Sequence, residues 1–431
     1  MRRPVPMAIS VVRPFFVLSV MLGLLLMPCD GRLPTGGSPG KTLQVFQKKI
    51  PNLAKMLDKV GKRIRRHQSN NAGPPVSNPT MSGASSEAAI FLVTVGLGTP
   101  PVTLQLELST GSDWTWTQCT PCATSCYSQT DPYFNPSYST SYANVSCSSS
   151  TCTLFSGPSN PVPCSGQTCD YSIIYGDGSN STGWVATDTL TLGSDLMIPN
   201  YLFGCGQNNG LYAGSFDGFL GLANTSVSLV SQTTSQFGKY FAYCLPYSSD
   251  STGFLTFGGS NSTGFIFTPL VLLPQYPYLY GIQIIGISVG GIPLPASSLN
   301  LLVNAHAIID SGTVITRLPP TVYDALRTAV RASLANYTTA PAVSILDTCY
   351  DFSKVQTIPD PNIGISFQGV GLTLGTTGAF YVVSSSQRCL AFAANGDDSD
   401  LIIYGNIQQR TWEIAYDVAG GSLGFSPNAC A

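Results

Sequence analysis

Leu106-Glu-Leu-Ser-Thr-Gly-Ser-Asp113 and Ile308-Ile-Asp-Ser-Gly-Thr313 each run an apolar strand into a tight turn of the form X-[Thr/Ser]-Gly-[Ser/Thr]. The second turn opens on Asp310, the first on Ser109. A strand ending in a glycine turn delivers its turn side chain at a defined point. Two such turns about 200 residues apart imply two related halves. Where the second turn carries a carboxyl, the first carries a hydroxyl.

The duplication extends beyond the turns. After the first comes the apolar-apolar-Gly unit Phe219-Leu-Gly221, and after the second comes Ile402–Gly405. These repeats are too long for a solenoid unit, which points to two β lobes related by a two-fold operation. Charged residues are only 10% of the 431, while Gly (43) and Pro (31) are abundant. Short β-branched or aromatic runs such as Phe91–Val95 and Leu401–Tyr404, bounded by Gly and Asn, read as strands. One helix is predicted after Leu318-Pro-Pro, burying Val322, Tyr323, Leu326, Val330 and Leu334, with Thr321 and Asp324 spaced as a capping box. A shorter helix is predicted over Leu229–Phe237. Gly204–Gly210 is glycine-rich like a phosphate loop, but no Rossmann context surrounds it, and it reads as a strand end and turn.

The N-terminus reads as targeting and processing sequence. Arg2 and Arg3 precede an apolar run from Phe15 to Met27, too short to span a bilayer comfortably and suited to a cleaved signal peptide over residues 1–30. Residues 31–87 read as a basic propeptide and linker. Nine Lys/Arg stand against one acid between 41 and 66, whereas the chain from residue 86 onward has seven Lys/Arg against twenty Asp/Glu. A basic leader on an acidic body suggests a zymogen whose cations cover an acidic cleft until low pH neutralises the carboxylates. Without Cys29 twelve cysteines remain, an even number suited to six disulfides in an oxidising compartment. Sequons at Asn144, Asn180, Asn224, Asn261 and Asn336 agree with the secretory route. The expected location is extracellular, in the apoplast or cell wall, with the vacuole as alternative. Neither nucleic-acid binding nor a stable membrane span is expected.

From about residue 88 to 430 the chain resembles the nepenthesin-like plant branch of the pepsin-type aspartic peptidases. The resemblance is carried by Val93–Pro100, Thr115-Trp-Thr-Gln-Cys-Thr-Pro-Cys122, Tyr175-Gly-Asp-Gly-Ser179, Phe216–Leu222, Ile309–Pro320, Asp347-Thr-Cys-Tyr350, Cys389-Leu-Ala-Phe392 and Ile403-Tyr-Gly-Asn406. It implies an all-β bilobal fold, two six-stranded-type lobes with a few short helices and a central cleft. The N-terminal lobe would cover 88–263, with a Cys-rich insertion and a flap, and the C-terminal lobe 264–431. It implies a monomer that binds peptide or protein in the cleft and uses no cofactor or metal. The candidate catalytic positions are Asp310 and Ser109. The candidate substrate-binding residues are Tyr175, Gly176 and Asp177 at the flap tip, Trp116 supporting that tyrosine, and Gly111, Gly312 and Thr313 in the turns. The resemblance also implies a Cys349–Cys389 disulfide. Cys119-x-x-Cys122 could suggest zinc or redox chemistry, but in a secreted chain without a nearby histidine it reads as structural.

Such peptidases hold a water between two carboxyls that share one proton, one acting as base while the other polarises the scissile carbonyl. Serine has no acid–base equilibrium near working pH, so Ser109 implies a pseudopeptidase. Three rescues can be weighed. Glu107 shares a strand face with Ser109, but two residues of strand separate them by roughly 6–7 Å. Asp113 lies past the turn. His306 would have to serve as base for serine chemistry without a G-x-S-x-G context. The alternative reading is an endopeptidase still active at acidic pH, and a further one is a defence protein inhibiting microbial glycoside hydrolases.

Overall fold

The computed structural model describes residues 40–49, 89–155, 164–176, 178–210, 216–259 and 264–430. The signal segment, most of the leader and linker, Asp177 and Asn261 lie outside the described residues.

Strands dominate, and the largest sheet crosses from one half to the other. Strands β1 (Lys41–Lys49), β2 (Ala89–Leu97), β3 (Val102–Ser109) and β4 (Trp116–Gln118) belong to it. It continues on one side through Leu196–Gly210, Asn180–Leu192 and Thr168–Ile174. On the other side it runs through Thr252–Phe257, Tyr240–Cys244, Glu413–Asp417 and Ser422–Ser426 to Ile266–Pro269. Thus Glu413–Asp417, near the end of the chain, pairs with Tyr240–Cys244 of its first half, and Ser422–Ser426 pairs with Glu413–Asp417 and with Ile266–Pro269. Three smaller sheets of five, four and four strands complete the second half.

The duplicated motifs occupy equivalent places. β3 pairs in parallel with Gly218–Gly221, placing Ser109 beside Gly221. Ala307–Ile309, which leads into Asp310, pairs in parallel with Ile402–Tyr404. Each turn therefore leaves a strand braced by its own apolar-Gly unit. Leu104, Leu106 and Leu108 are buried in the main core, and strand alternation turns Gln105, Glu107 and Ser109 to the opposite face.

The described part of the basic leader is a sheet strand. β1 lies between β2 and Thr252–Phe257, antiparallel to both, with Leu43 and Val45 buried. Alternation places Leu43, Val45 and Gln47 inward while Thr42 and Gln44 are exposed, which is how a strand with a polar face fits a half-covered sheet. Other leader cations lie outside the described residues.

The predicted helix spans Pro320–Ser333 and buries Val322, Tyr323, Leu326 and Val330, with Leu334 buried just past its end. Its N-terminus differs from the expected capping box. Thr321 is already inside the helix, and Asp398, from a loop far along the chain, accepts from the Thr321 N–H at 2.8 Å and the Thr321 hydroxyl at 2.5 Å. Asp324 instead pairs with Arg327 at 2.7 Å. The second predicted helix is two short pieces, Leu229–Gln232 and Thr234–Phe237, the first capped by the Ser228 side chain. Gly204–Gly210 contains no turn. It is the end of the long strand Leu196–Gly210, whose glycines let neighbouring chains and rings approach closely, with Cβ positions at Gly204 and Gly206 falling 2.5 Å from Trp114 and Asn209 atoms.

Six disulfides occur among the described residues: Cys119–Cys205, Cys122–Cys126, Cys147–Cys164, Cys152–Cys169, Cys244–Cys430 and Cys349–Cys389. Cys119 and Cys122 thus serve two separate bridges. Cys244–Cys430 ties the C-terminus to a strand of the first half.

Candidate active site

The two turns meet as a reciprocal pair. The Thr110 N–H donates to Ser311 Oγ at 3.0 Å, and the Ser311 N–H donates to Thr110 Oγ1 at 3.0 Å. Each hydroxyl then donates onward to the strand of the opposite turn, Thr110 Oγ1 to the Ile309 carbonyl at 3.3 Å and Ser311 Oγ to the Leu108 carbonyl at 2.9 Å. This near-symmetric lock makes Ser109 the positional counterpart of Asp310.

Small residues are obligatory at the crossing. A Cβ on Gly111 would fall 2.6–2.7 Å from the Asp310 carboxyl atoms, and one on Gly312 would fall 2.9 Å from Ser109 Oγ and 3.3 Å from Asp310 Oδ1. Nothing larger than glycine fits without displacing a functional group.

The symmetry ends at the turn side chains. Asp310 Oδ1 accepts from the Gly312 and Gly111 N–H groups, both at 2.9 Å, and Oδ2 accepts from Thr313 Oγ1 at 2.7 Å. Burial raises the Asp310 pKa above the usual carboxyl range, opposed by the hydroxyl of Thr313 and the two backbone donors. No second carboxylate among the described residues contributes to that shift. In the first turn the equivalent of Thr313 is Ser112, and its hydroxyl donates to the Trp114 carbonyl at 3.4 Å. Its own turn offers no carboxylate to receive that proton.

Three acids or bases near the turns in sequence are accounted for separately. Glu107 is buried, opposite Phe219 and Leu92, and its charge acts on the phenols of Tyr127 and Tyr175. Asp113 is raised by its own burial, and its charge acts on Tyr278 and Tyr175. His306 is exposed just before the strand leading to Asp310.

Tyr175 sits beyond the end of Thr168–Ile174, in the hairpin that returns as Asn180–Leu192. Its N–H donates to the Ser179 carbonyl, and Gly178, at φ +89°, closes the turn on the Tyr175 carbonyl. Trp116 Nε1 donates to the Tyr175 hydroxyl at 2.7 Å, and the Tyr175 ring stacks on Phe219 at 4.7 Å. The spacings in the chain thus bring Trp116 to Tyr175, and Gly111 and Thr313 to Asp310. Gly176 is exposed at the hairpin tip, with open space around it.

Sequence reasoning missed the supports beneath the turns. Gln409 Nε2 donates to the Asp310 carbonyl at 3.0 Å and to the Tyr404 carbonyl at 2.8 Å, while the Tyr243 hydroxyl donates to Gln409 Oε1 at 2.5 Å. Asn406 Nδ2 donates to the Ser311 carbonyl at 3.0 Å. The available signal was polar residues right after the second apolar-Gly unit, where exposed surface would otherwise be assumed.

No cluster of His, Cys, Asp or Glu suited to a metal occurs among the described residues, and none of their helices is long and apolar enough to cross a membrane. Of the sequons, Asn144, Asn224 and Asn336 are exposed and Asn180 is partly so.

Comparison with known proteins agrees with this architecture. The family descriptions "Xylanase inhibitor N-terminal" and "Xylanase inhibitor C-terminal" match residues 91–259 and 279–427. An aspartyl protease family protein of Arabidopsis thaliana is 48% identical over 82% of this chain and 75% of its own length. Aspartic proteinase nepenthesin-1 of Nepenthes gracilis is 32% identical, covering 91% of this chain and 88% of that protein. Among solved structures, conglutin gamma from lupine seeds superposes with a TM-score of 0.65 at 17% identity, over 90% of this chain and 96% of that one. Basic 7S globulin from soybean gives the same TM-score and identity over 90% and 95%. By its paired glycine turns, its cross-braced sheet and these relatives, the chain belongs to the pepsin-type aspartic peptidase family, in its nepenthesin-like plant branch.

Proposed function

We propose that the protein is a secreted pseudopeptidase that binds peptide or protein segments between its lobes, with peptide-bond hydrolysis lost or strongly impaired. The observation that carries this reading is the one-sided site. Asp310 has its hydroxyl donor and two N–H donors, whereas its counterpart is Ser109 and the matching hydroxyl of Ser112 meets the Trp114 carbonyl and the Tyr175 hydroxyl. Asp310 alone can accept a proton from a water. Ser109 can orient that water, but it cannot carry the second proton that polarises the carbonyl and later reaches the leaving nitrogen. General acid–base groups each contribute roughly 10²–10⁴-fold, and groups that act as a unit fail together.

Support for retained binding comes from the preserved surroundings: Tyr175 held by Trp116, the glycine crossing and the intact second turn. The basic leader, the signal-like N-terminus and the even cysteine set support a secreted precursor. Inhibition of microbial glycoside hydrolases is a second reading, favoured by the family descriptions that match the two lobes.

The test is incubation of the purified protein with a broad peptide library at pH 3–5, alongside binding of a statine-containing inhibitor. Binding without cleavage is expected. Cleavage that the inhibitor blocks and that Asp310→Ala removes refutes the pseudopeptidase reading.

A further inference from the structure

The carbonyls behind the two turns are held in different ways. In the first turn the Ser109 carbonyl accepts a main-chain bond, from the Leu222 N–H at 3.0 Å. In the second, the Asp310 carbonyl accepts from a side chain, Gln409 Nε2, which also donates to the Tyr404 carbonyl. Both N–H groups of that amide are thereby used, so its Oε1 must face a donor. The donor is the Tyr243 hydroxyl at 2.5 Å. Tyr243 has one O–H proton to give, so its 3.1 Å bond with the Tyr416 hydroxyl runs from Tyr416. A flipped Gln409 amide would set Oε1 against two carbonyls. The Tyr243 hydroxyl therefore fixes which way Gln409 points. All three side chains are buried, and burial keeps both phenols protonated. Tyr243 lies in Tyr240–Cys244, which is paired on both edges and is followed at once by the Cys244–Cys430 bridge. A strand of the first half thus governs the main chain of the second turn.

We propose that Tyr243 and Gln409 are positioning residues, a hydrogen-bond relay from the first half that sets the Asp310 turn and so aims its carboxyl into the peptide site. This inference rests on the peptide-binding reading above, for the purpose of that aim. A side chain can hold a site to within a fraction of an ångström only if its own rotamer is locked by further bonds, and Tyr243 supplies that lock for Gln409. Around the Asp310 carboxyl stand Gly111 of the first turn, Gly312 and Thr313 of its own, and the Tyr243 and Tyr416 phenols, on which its charge acts. The three donors from Gly111, Gly312 and Thr313 favour the ionised carboxyl against the cost of burial. Their alignment depends on where the turn is held. A loosened turn would weaken them while leaving the burial in place.

The test follows the Asp310 carboxyl carbon against pH by carbon-13 NMR in aspartate-labelled protein, with Asp310→Asn assigning the resonance, and in parallel measures affinity for a statine inhibitor. Tyr243→Phe removes one hydroxyl and keeps the ring. It should raise the Asp310 titration midpoint by roughly half a unit to one unit, since weakened donors favour the carboxylate less. Inhibitor affinity should fall about 5–10-fold. Gln409→Met should act in the same direction, and it serves alone if Tyr243→Phe does not fold. Tyr280→Phe is the control, because it removes a buried hydroxyl from the Leu222 carbonyl behind the first turn. That variant should lower the melting temperature and leave the Asp310 midpoint where it was. A lower melting temperature with unmoved midpoint and affinity in Tyr243→Phe or Gln409→Met overturns the relay and leaves peptide binding standing. So does a midpoint that moves as far in Tyr280→Phe. A midpoint that moves as expected in a protein that binds no inhibitor overturns the peptide-binding reading and leaves the hold on Asp310 standing.

Discussion

Ser109→Asp is the sharpest perturbation of this molecule. The position already exists for it, since the point where Gly312 would carry a Cβ is flanked by Ser109 Oγ at 2.9 Å and Asp310 Oδ1 at 3.3 Å. A second carboxyl would stand a few ångströms from the first. At about 4 Å and an effective dielectric of about 20, two negative charges repel by about 4 kcal/mol. That corresponds to roughly three pKa units between the two ionisations. Asp310 is already held high by burial, so the restored pair would keep one shared proton through the mildly acidic range. The Ser112 hydroxyl, now on the Trp114 carbonyl, has an acceptor to return to. Activity on an internally quenched peptide at pH 3–5 should rise by roughly 10²–10⁴-fold over the unaltered protein and be blocked by a statine inhibitor. The variant should also lose thermal stability as pH rises. Its pair has raised pKa values in the folded state, so the stability present at low pH disappears as the second proton is lost. If the unaltered protein is as active as Ser109→Asp, the missing-proton argument is wrong. If the variant folds, binds inhibitor and stays inactive, the supports of the first turn have decayed further than Ser112 indicates.

Gly111→Ala places a methyl group 2.6–2.7 Å from the Asp310 carboxyl atoms, so it should cost about 1–3 kcal/mol of stability and weaken inhibitor binding, read by thermal melting and titration. Replacing Cys349 and Cys389 by alanine opens a bridge spanning 40 residues, and chain entropy alone predicts a loss of about 4 kcal/mol; an unchanged melting temperature would contradict it. Asp217 predicts a pH dependence. Burial pushes its carboxyl up to about 7, helped by the Asp131 carboxylate and opposed by the Gln105 N–H and by Lys48 of β1. A folded pKa above the unfolded 3.8 means stability is fully present below about pH 4 and is lost as pH rises toward 7. Melting temperature should therefore fall between about pH 4 and 7, and Asp217→Asn should flatten that slope; an equal slope in both proteins would exclude Asp217 as its source.

Much of the architecture was legible because local patterns carried it. The two turns, the apolar-Gly units behind them and the helix face of Val322, Tyr323, Leu326 and Val330 are short-range signals. They form where the residues require, since strand alternation and helical periodicity are local geometry. The Trp116–Tyr175 pair was legible through family resemblance rather than through any property of either ring. Other features needed partners that sequence distance hides. Asp398 outcompetes Asp324 at the start of the helix because a loop 77 residues away delivers its carboxylate to two Thr321 donors. Cys119 ignores Cys122 for Cys205 because β4 runs beside Leu196–Gly210.

The residues alone determined that this is a duplicated β protein with an aspartate in one turn and a serine in the other, since turn chemistry and apolar alternation are written within a few positions. Tertiary structure decided how those turns lock through Thr110 and Ser311, that the Ser112 hydroxyl meets the Trp114 carbonyl and the Tyr175 hydroxyl, and that Gln409 and Asn406 hold the second turn from beneath. It also decided that part of the basic leader is a sheet strand and that Glu107 is buried opposite Phe219. The physical reason is that strand pairing and buried hydrogen bonds join atoms scores to hundreds of residues apart, and only the closed sheet brings those atoms within reach of each other.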